Sequence, residues 1–137
     1  MYLQKHSLPV WKAAMLGLLL SIVANLIILF STKPFVIAFA PLSVSPVLLW
    51  TTIGFLGAWG TYALIRRFVQ KYNHDFVAIS VLVLLLSFIP DIFVDRLGAM
   101  FAGSTSGAIA VLMMMHVVEA GIAIFVFTRL ARLREYI

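Results

Sequence analysis

Four ionisable side chains, Asp91, Asp95, His116 and Glu119, fall in or beside two long apolar stretches of a chain that has only five acidic residues and three histidines in all. Carboxylates and an imidazole can hold a proton, ligate a metal or pair with a charged ligand. A charged group costs roughly 2.5–3.5 kcal/mol at the centre of a membrane-inserted helix, so such residues mark a buried pair, a pathway or a site. Asp91 and Asp95 stand at i, i+4 and His116 and Glu119 at i, i+3, so each pair shares a helix face.

The elements that carry these groups are readable from composition. The 137 residues are 64% hydrophobic and 11% charged, with a mean hydropathy of +1.11, whereas globular chains are about 25% charged. One all-α domain covering 1–137 is expected, a four-helix transmembrane bundle. At about 20 apolar residues per span, the spans run over about 11–30, 46–65, 76–94 and 107–130. The stretch from Ser31 to Ser45 is apolar but broken by prolines. It reads as an interfacial segment or one dipping between helices. A cleaved leader fits poorly, because the first apolar stretch is too long and Ala38-Phe39-Ala40 lies well past its end.

Basic residues orient the spans. Of the ten Lys and Arg residues, Lys5, Lys12, Arg66, Arg67, Lys71, Arg129, Arg132 and Arg134 fall on one side and only Lys33 and Arg96 on the other. Both termini are therefore expected in the cytoplasm. Trp11 and Tyr72 fit the inner aromatic belt and Trp50 the outer one. The expected partners are the lipid bilayer and, at the cytoplasmic face, anionic headgroups. The net charge of +5 flanks the spans, so nucleic acid is not expected.

Small residues line two helices. Ala13, Gly17 and Ser21 recur at four-residue steps, with Asn25 next in line; span two carries Gly54, Gly57, Ala58, Gly60 and Thr61. These stripes fit packing inside one chain better than a homodimer seam, with a homo-oligomer or a partner membrane subunit left open. Asn25 should point inward. In span three, Pro90 frees the Leu86 carbonyl, and Ser87 is placed to bond that opened backbone or the Asp91 carboxylate.

Depth along the helices brings these groups together. With about 1.5 Å per residue, Asn25, Thr51, Thr52, Asp91 and His116 share one layer in the outer half. Glu119 lies a turn deeper and Asp95 a turn higher. An Asp91–His116 pair with Asn25 would make a hydrogen-bonded core. Glu119 should be protonated, paired with His116 or wetted by a cavity. Glycines 98, 103 and 107 would suit a mobile lid.

Three readings follow. The leading one is a non-enzymatic membrane protein whose polar cluster binds or passes a small ligand, ion or proton. Asp91, His116, Asn25 and Glu119 are its contacts, with Asp95 and Ser87 beside them. The second is a structural or accessory subunit whose cluster only locks the bundle. The third is an intramembrane metal-dependent hydrolase, hampered by a single intramembrane histidine and by the vertical spread from Asp95 to Glu119. No cofactor is expected: haem lacks a second axial ligand, since Met113, Met114 and Met115 share the helix of His116. No catalytic triad, phosphate loop or thiol is present, the chain having no Cys. His6 and His74 read as solvated.

Short motifs also carry a likeness. Ala24-Asn25, Trp59 with Arg66-Arg67, Leu85-Leu86-Ser87-Phe88-Ile89-Pro90-Asp91 and Met115-His116 resemble a family of small four-helix bacterial membrane proteins of unknown function. The resemblance covers most of the chain and implies the bundle but no activity. Glu119 departs from the pattern, standing where a small apolar residue is expected.

Overall fold

The computed structural model of the chain describes residues 8–36, 39–93 and 104–131. Four helices, α1 (Val10–Thr32), α2 (Val44–Phe68), α3 (Tyr72–Ile92) and α4 (Ser106–Phe125), are each long and apolar enough to cross a membrane. They form a ring in chain order: α1 packs on α2 and α4, and α3 on α4, while the α2–α3 seam is the loosest side. The four helices match the expected spans, with α2 beginning two residues earlier and α3 four residues earlier. Pro46 is tolerated because it sits in the first turn of α2, where backbone N–H groups have no helical partner.

Helix ends follow their local chemistry. Thr105 caps α4 by accepting a hydrogen bond from the Ala108 N–H at 3.2 Å. Gly107 lies in the first turn of α4, so it is no part of a lid; Gly98 and Gly103 lie outside the described residues. At its far end α4 runs into a π-helical turn, Val126–Leu130, whose last carbonyl accepts the Leu8 N–H at 3.0 Å. The segment after α1 folds back onto the bundle, where Phe39 and Leu42 join the core.

Two apolar clusters fill the bundle. One, at the end bearing Arg66 and Arg129, holds Ala13, Ala14, Phe55, Tyr62, Phe76 and Phe127. Its rings interlock: Tyr62 stacks on Phe127 at 5.0 Å, and Phe76 meets both edge-on. The other, at the opposite end, holds Leu29, Phe39, Leu42, Val47, Ala108, Val111 and Met115. Gly17 makes the first possible, since a side chain there would collide with the tip of the Phe55 ring. That close approach is the use to which α1 puts its small-residue stripe.

Candidate functional site

Polar groups gather between the two apolar clusters. Asn25 continues the buried stripe of Ala13, Gly17 and Ser21, so α1 presents it to the bundle interior. Its Nδ2 donates to Thr51 Oγ1 at 2.8 Å, which ties α1 to α2. Asn25 is 2% exposed, and its Oδ1 has no hydrogen-bond partner. One turn away, Ser21 Oγ is likewise buried without a partner. Thr52 is spent on its own helix, donating to the Leu48 carbonyl at 2.7 Å, so Thr51 alone of the pair joins the cluster.

Glu119 reaches across from α4 to the same place. Its carboxyl faces the Asn25 side chain and rests on the backbone of α2 at Gly54. A Cβ at Gly54 would lie 2.6 Å from Glu119 Oε1, inside any van der Waals contact. The absent side chain at Gly54 is therefore what makes room for the carboxyl.

Asp91 and His116 form the second half of the site, between α3 and α4. His116 Nδ1 lies 3.3 Å from Asp91 Oδ2 but only 2.8 Å from the Leu112 carbonyl. A carbonyl oxygen can only accept, so Nδ1 carries a hydrogen and gives it to Leu112. The contact with Asp91 is thus one of charge and proximity, and Asp91 Oδ2 stays buried with no hydrogen bond. The other ring nitrogen, Nε2, has no partner among the described residues.

These groups line one cavity of about 660 Å³. Its walls are α2, from Pro46 to Thr61, and α3, from Phe76 to Asp91. α4 and Asn25 form the back. The cavity follows the loose α2–α3 seam. Phe55 and Phe76, both 1% exposed, close it at the aromatic end. α2 is the least apolar of the four helices, and its Thr51, Gly54, Gly57 and Thr61 face this space. Cavities of about 300–1,000 Å³ with mostly apolar walls and a few convergent polar groups are the usual form of small-molecule sites.

The expected cluster is therefore assembled, with changed pairings. Asn25 bonds Thr51 and faces Glu119, rather than completing an Asp91–His116 core. Ser87 lines the cavity, but its hydroxyl donates to the Leu84 carbonyl at 2.7 Å, not to the Leu86 carbonyl or to Asp91. A Ser hydroxyl reaches back along its own helix more readily than forward past Pro90. Asp95 lies outside the described residues. Among the described residues no three His, Asp or Glu side chains gather as a metal site would require. Thr51 and Gly54 were not among the expected site residues. Thr51 was at the right depth to be found, and Gly54 was visible only as a packing glycine. His74 is exposed beside Asp75 in the first turn of α3, as expected.

Comparison with known proteins agrees with the architecture. The chain matches a family of unknown function (DUF6069) over residues 6–133, nearly its whole length, and belongs to that family. The resemblance read from its short motifs is borne out at that level. Neither the curated proteins nor the solved structures give a match.

Proposed function

We propose that this member of a family of unknown function is a small multi-pass membrane protein that holds a small ligand in the α2–α3 cleft. Asp91 and His116 are the primary contacts, with Asn25, Glu119 and Thr51 behind them. The observation that carries this reading is the cavity itself. A polar layer built only to lock helices would satisfy its own hydrogen bonds, because an unmet buried acceptor costs about 1–3 kcal/mol. Here Asn25 Oδ1 and Asp91 Oδ2 are buried and unmet, and both residues line the cavity.

Binding is better supported than free passage. The interlocked rings of Phe55, Tyr62, Phe76 and Phe127 stand between the polar layer and the basic end of the bundle. Moving an ion or proton across would require that plug to open. By the distribution of basic residues, the cleft faces outward from a bacterial cytoplasmic membrane, and both termini are cytoplasmic. Arg66, Arg67 and Arg129 then meet anionic headgroups on the inner face. A homo-oligomer or partner subunit would lie against the exposed faces of the bundle.

The second reading, a structural or accessory subunit, draws on the Asn25–Thr51 bond, which does tie two helices. One experiment separates the two. The chain has no Cys, so Ser87→Cys gives a single thiol on the cleft wall. With the protein in lipid nanodiscs, a water-soluble methanethiosulfonate reagent should modify it at a rate comparable with an exposed control, Phe35→Cys. A Ser87→Cys thiol that stays unmodified by this reagent and by a membrane-permeant maleimide would mean a packed layer and end the ligand reading.

A further inference from the structure

Resting on the cleft being a ligand site, we propose that the ligand it takes is a hydrophobic amine: a protonated amine head on an apolar body, entering sideways from the lipid between α2 and α3.

The head group follows from the polar atoms left over once the protein's own bonds are counted. The donors are mostly spent. Asn25 Nδ2 gives one hydrogen to Thr51 and turns the other toward Glu119, His116 Nδ1 goes to Leu112 and the Ser87 hydroxyl to Leu84. What remains is mostly acceptors: the carboxyl oxygens of Asp91 and Glu119 and, when the imidazole is neutral, the His116 Nε2, against the single indole N–H of Trp50. Only the hydroxyls of Thr51, Thr61 and Ser80 can serve either way. No Lys or Arg lines the cavity, so two carboxyls share one imidazole. An anion would meet repulsion there, whereas a cation bearing N–H groups supplies both the missing charge and the missing hydrogens.

The body follows from the rest of the wall. A bare metal ion does not fit, because no three ligating side chains converge among the described residues and a cavity of about 660 Å³ exceeds what an ion fills. Trp50, Ile53, Ile79, Val83 and Leu84 offer apolar surface along the cleft. Trp50 adds a ring face that attracts cations. The entrance follows from packing: the α2–α3 seam is the loosest side of the ring, and the cavity runs along it. A molecule dissolved in the bilayer meets that seam without first leaving the lipid.

The test compares three probes that share one aromatic body: 2-(1-naphthyl)ethylamine, 2-(1-naphthyl)ethanol and 1-naphthylacetate. Binding is read by naphthyl fluorescence anisotropy, with the wild-type protein in zwitterionic nanodiscs and empty nanodiscs as the blank. The amine should bind saturably, and the alcohol and the carboxylate at least about tenfold more weakly, the step worth 1.4 kcal/mol. Asp91→Asn and Glu119→Gln, on different helices, should each weaken amine binding about tenfold or more while leaving the elution profile of the folded protein unchanged. The wild-type head-group comparison stands even if a variant fails to fold. Equal or tighter binding of the alcohol or carboxylate, or no saturable binding of the amine, overturns the amine assignment. Modification of the Ser87→Cys thiol, by the water-soluble reagent or by a membrane-permeant maleimide, tells the two failures apart. A thiol that reacts with either but shows no amine preference leaves the cleft a ligand site of another class, whereas a thiol that reacts with neither removes the site as well.

Discussion

Gly54→Ala probes the cluster at its tightest point. The added Cβ would stand 2.6 Å from Glu119 Oε1, about an ångström closer than ordinary contact, so the carboxyl must withdraw from α2. Overpacking costs about 1–3 kcal/mol in a filled core, and the low end applies here, because Glu119 Oε1 ends a flexible side chain with the cavity beside it. Against it stands a gain of about 1 kcal/mol from replacing a mid-helix glycine with alanine. Gly57 and Gly60 provide the internal standard. They lie on the same helix, and a Cβ at either meets nothing within 4 Å, so Gly57→Ala and Gly60→Ala should be neutral or stabilising by up to about 1 kcal/mol. Gly54→Ala should therefore be less stable than Gly57→Ala by about 1 kcal/mol in reversible unfolding from mixed micelles. In a Glu119→Ala background the obstruction is gone, and the difference between the two alanine substitutions should vanish. That coupling, read as a double-mutant cycle, isolates the Gly54–Glu119 contact. If Gly54→Ala matches Gly57→Ala with Glu119 intact, the carboxyl does not rest on Gly54, and the acceptor-rich pocket loses its floor.

Further expectations follow from other contacts. Asp91→Asn removes the charge from a buried carboxyl whose Oδ2 makes no hydrogen bond, so thermal unfolding should show stability retained or raised. A loss of about 3–5 kcal/mol, the usual consequence of breaking a buried ion pair, would show that Asp91–His116 is a lock instead. Asn25→Ala removes the 2.8 Å bond to Thr51 and should cost about 0.6–1.7 kcal/mol, the range for interhelical bonds in membranes. A cycle with Thr51→Val that shows no coupling would contradict the bond. Gly17→Ala should destabilise by about 1–3 kcal/mol through the Phe55 ring; restoration by Phe55→Leu would identify the ring as the cause, and no restoration would clear it.

The four helices were legible because length and hydropathy suffice: 20 or so apolar residues flanked by Arg66-Arg67 or by Lys33 can do little else in lipid. The layer was legible too, since depth is counted directly along a helix and Asn25, Thr51, Asp91 and His116 fall at similar heights. The pairings were not. They depend on how each helix rotates about its axis, and an apolar sequence constrains rotation weakly when both lipid and core accept Leu, Ile and Val. Thus Asn25 met Thr51 and Glu119 rather than His116. His116 Nδ1 settled on the Leu112 carbonyl one turn back along its own helix, a local acceptor that no spacing between spans reveals. The aromatic plug escaped notice for the same reason, because Phe55, Tyr62, Phe76 and Phe127 come from three helices and no local motif joins them.

The joint between α2 and α3 has a mechanical consequence. Only residues 69–71 separate the two helices, and just beyond that joint Tyr62 grips both Tyr72 and Phe76 edge-on. The pair is a two-pronged fork riveted at the handle, whose tines lean outward on other helices, α2 on α1 and α3 on α4, and touch each other less. Small angular changes at the rivet translate into large displacements at Asp91, so the gap widens with distance from the handle. For the ligand proposed above, such a gauge would be strict close to the rings and indulgent toward the tip, and long or branched tails would be sorted by how far down the fork they can slide.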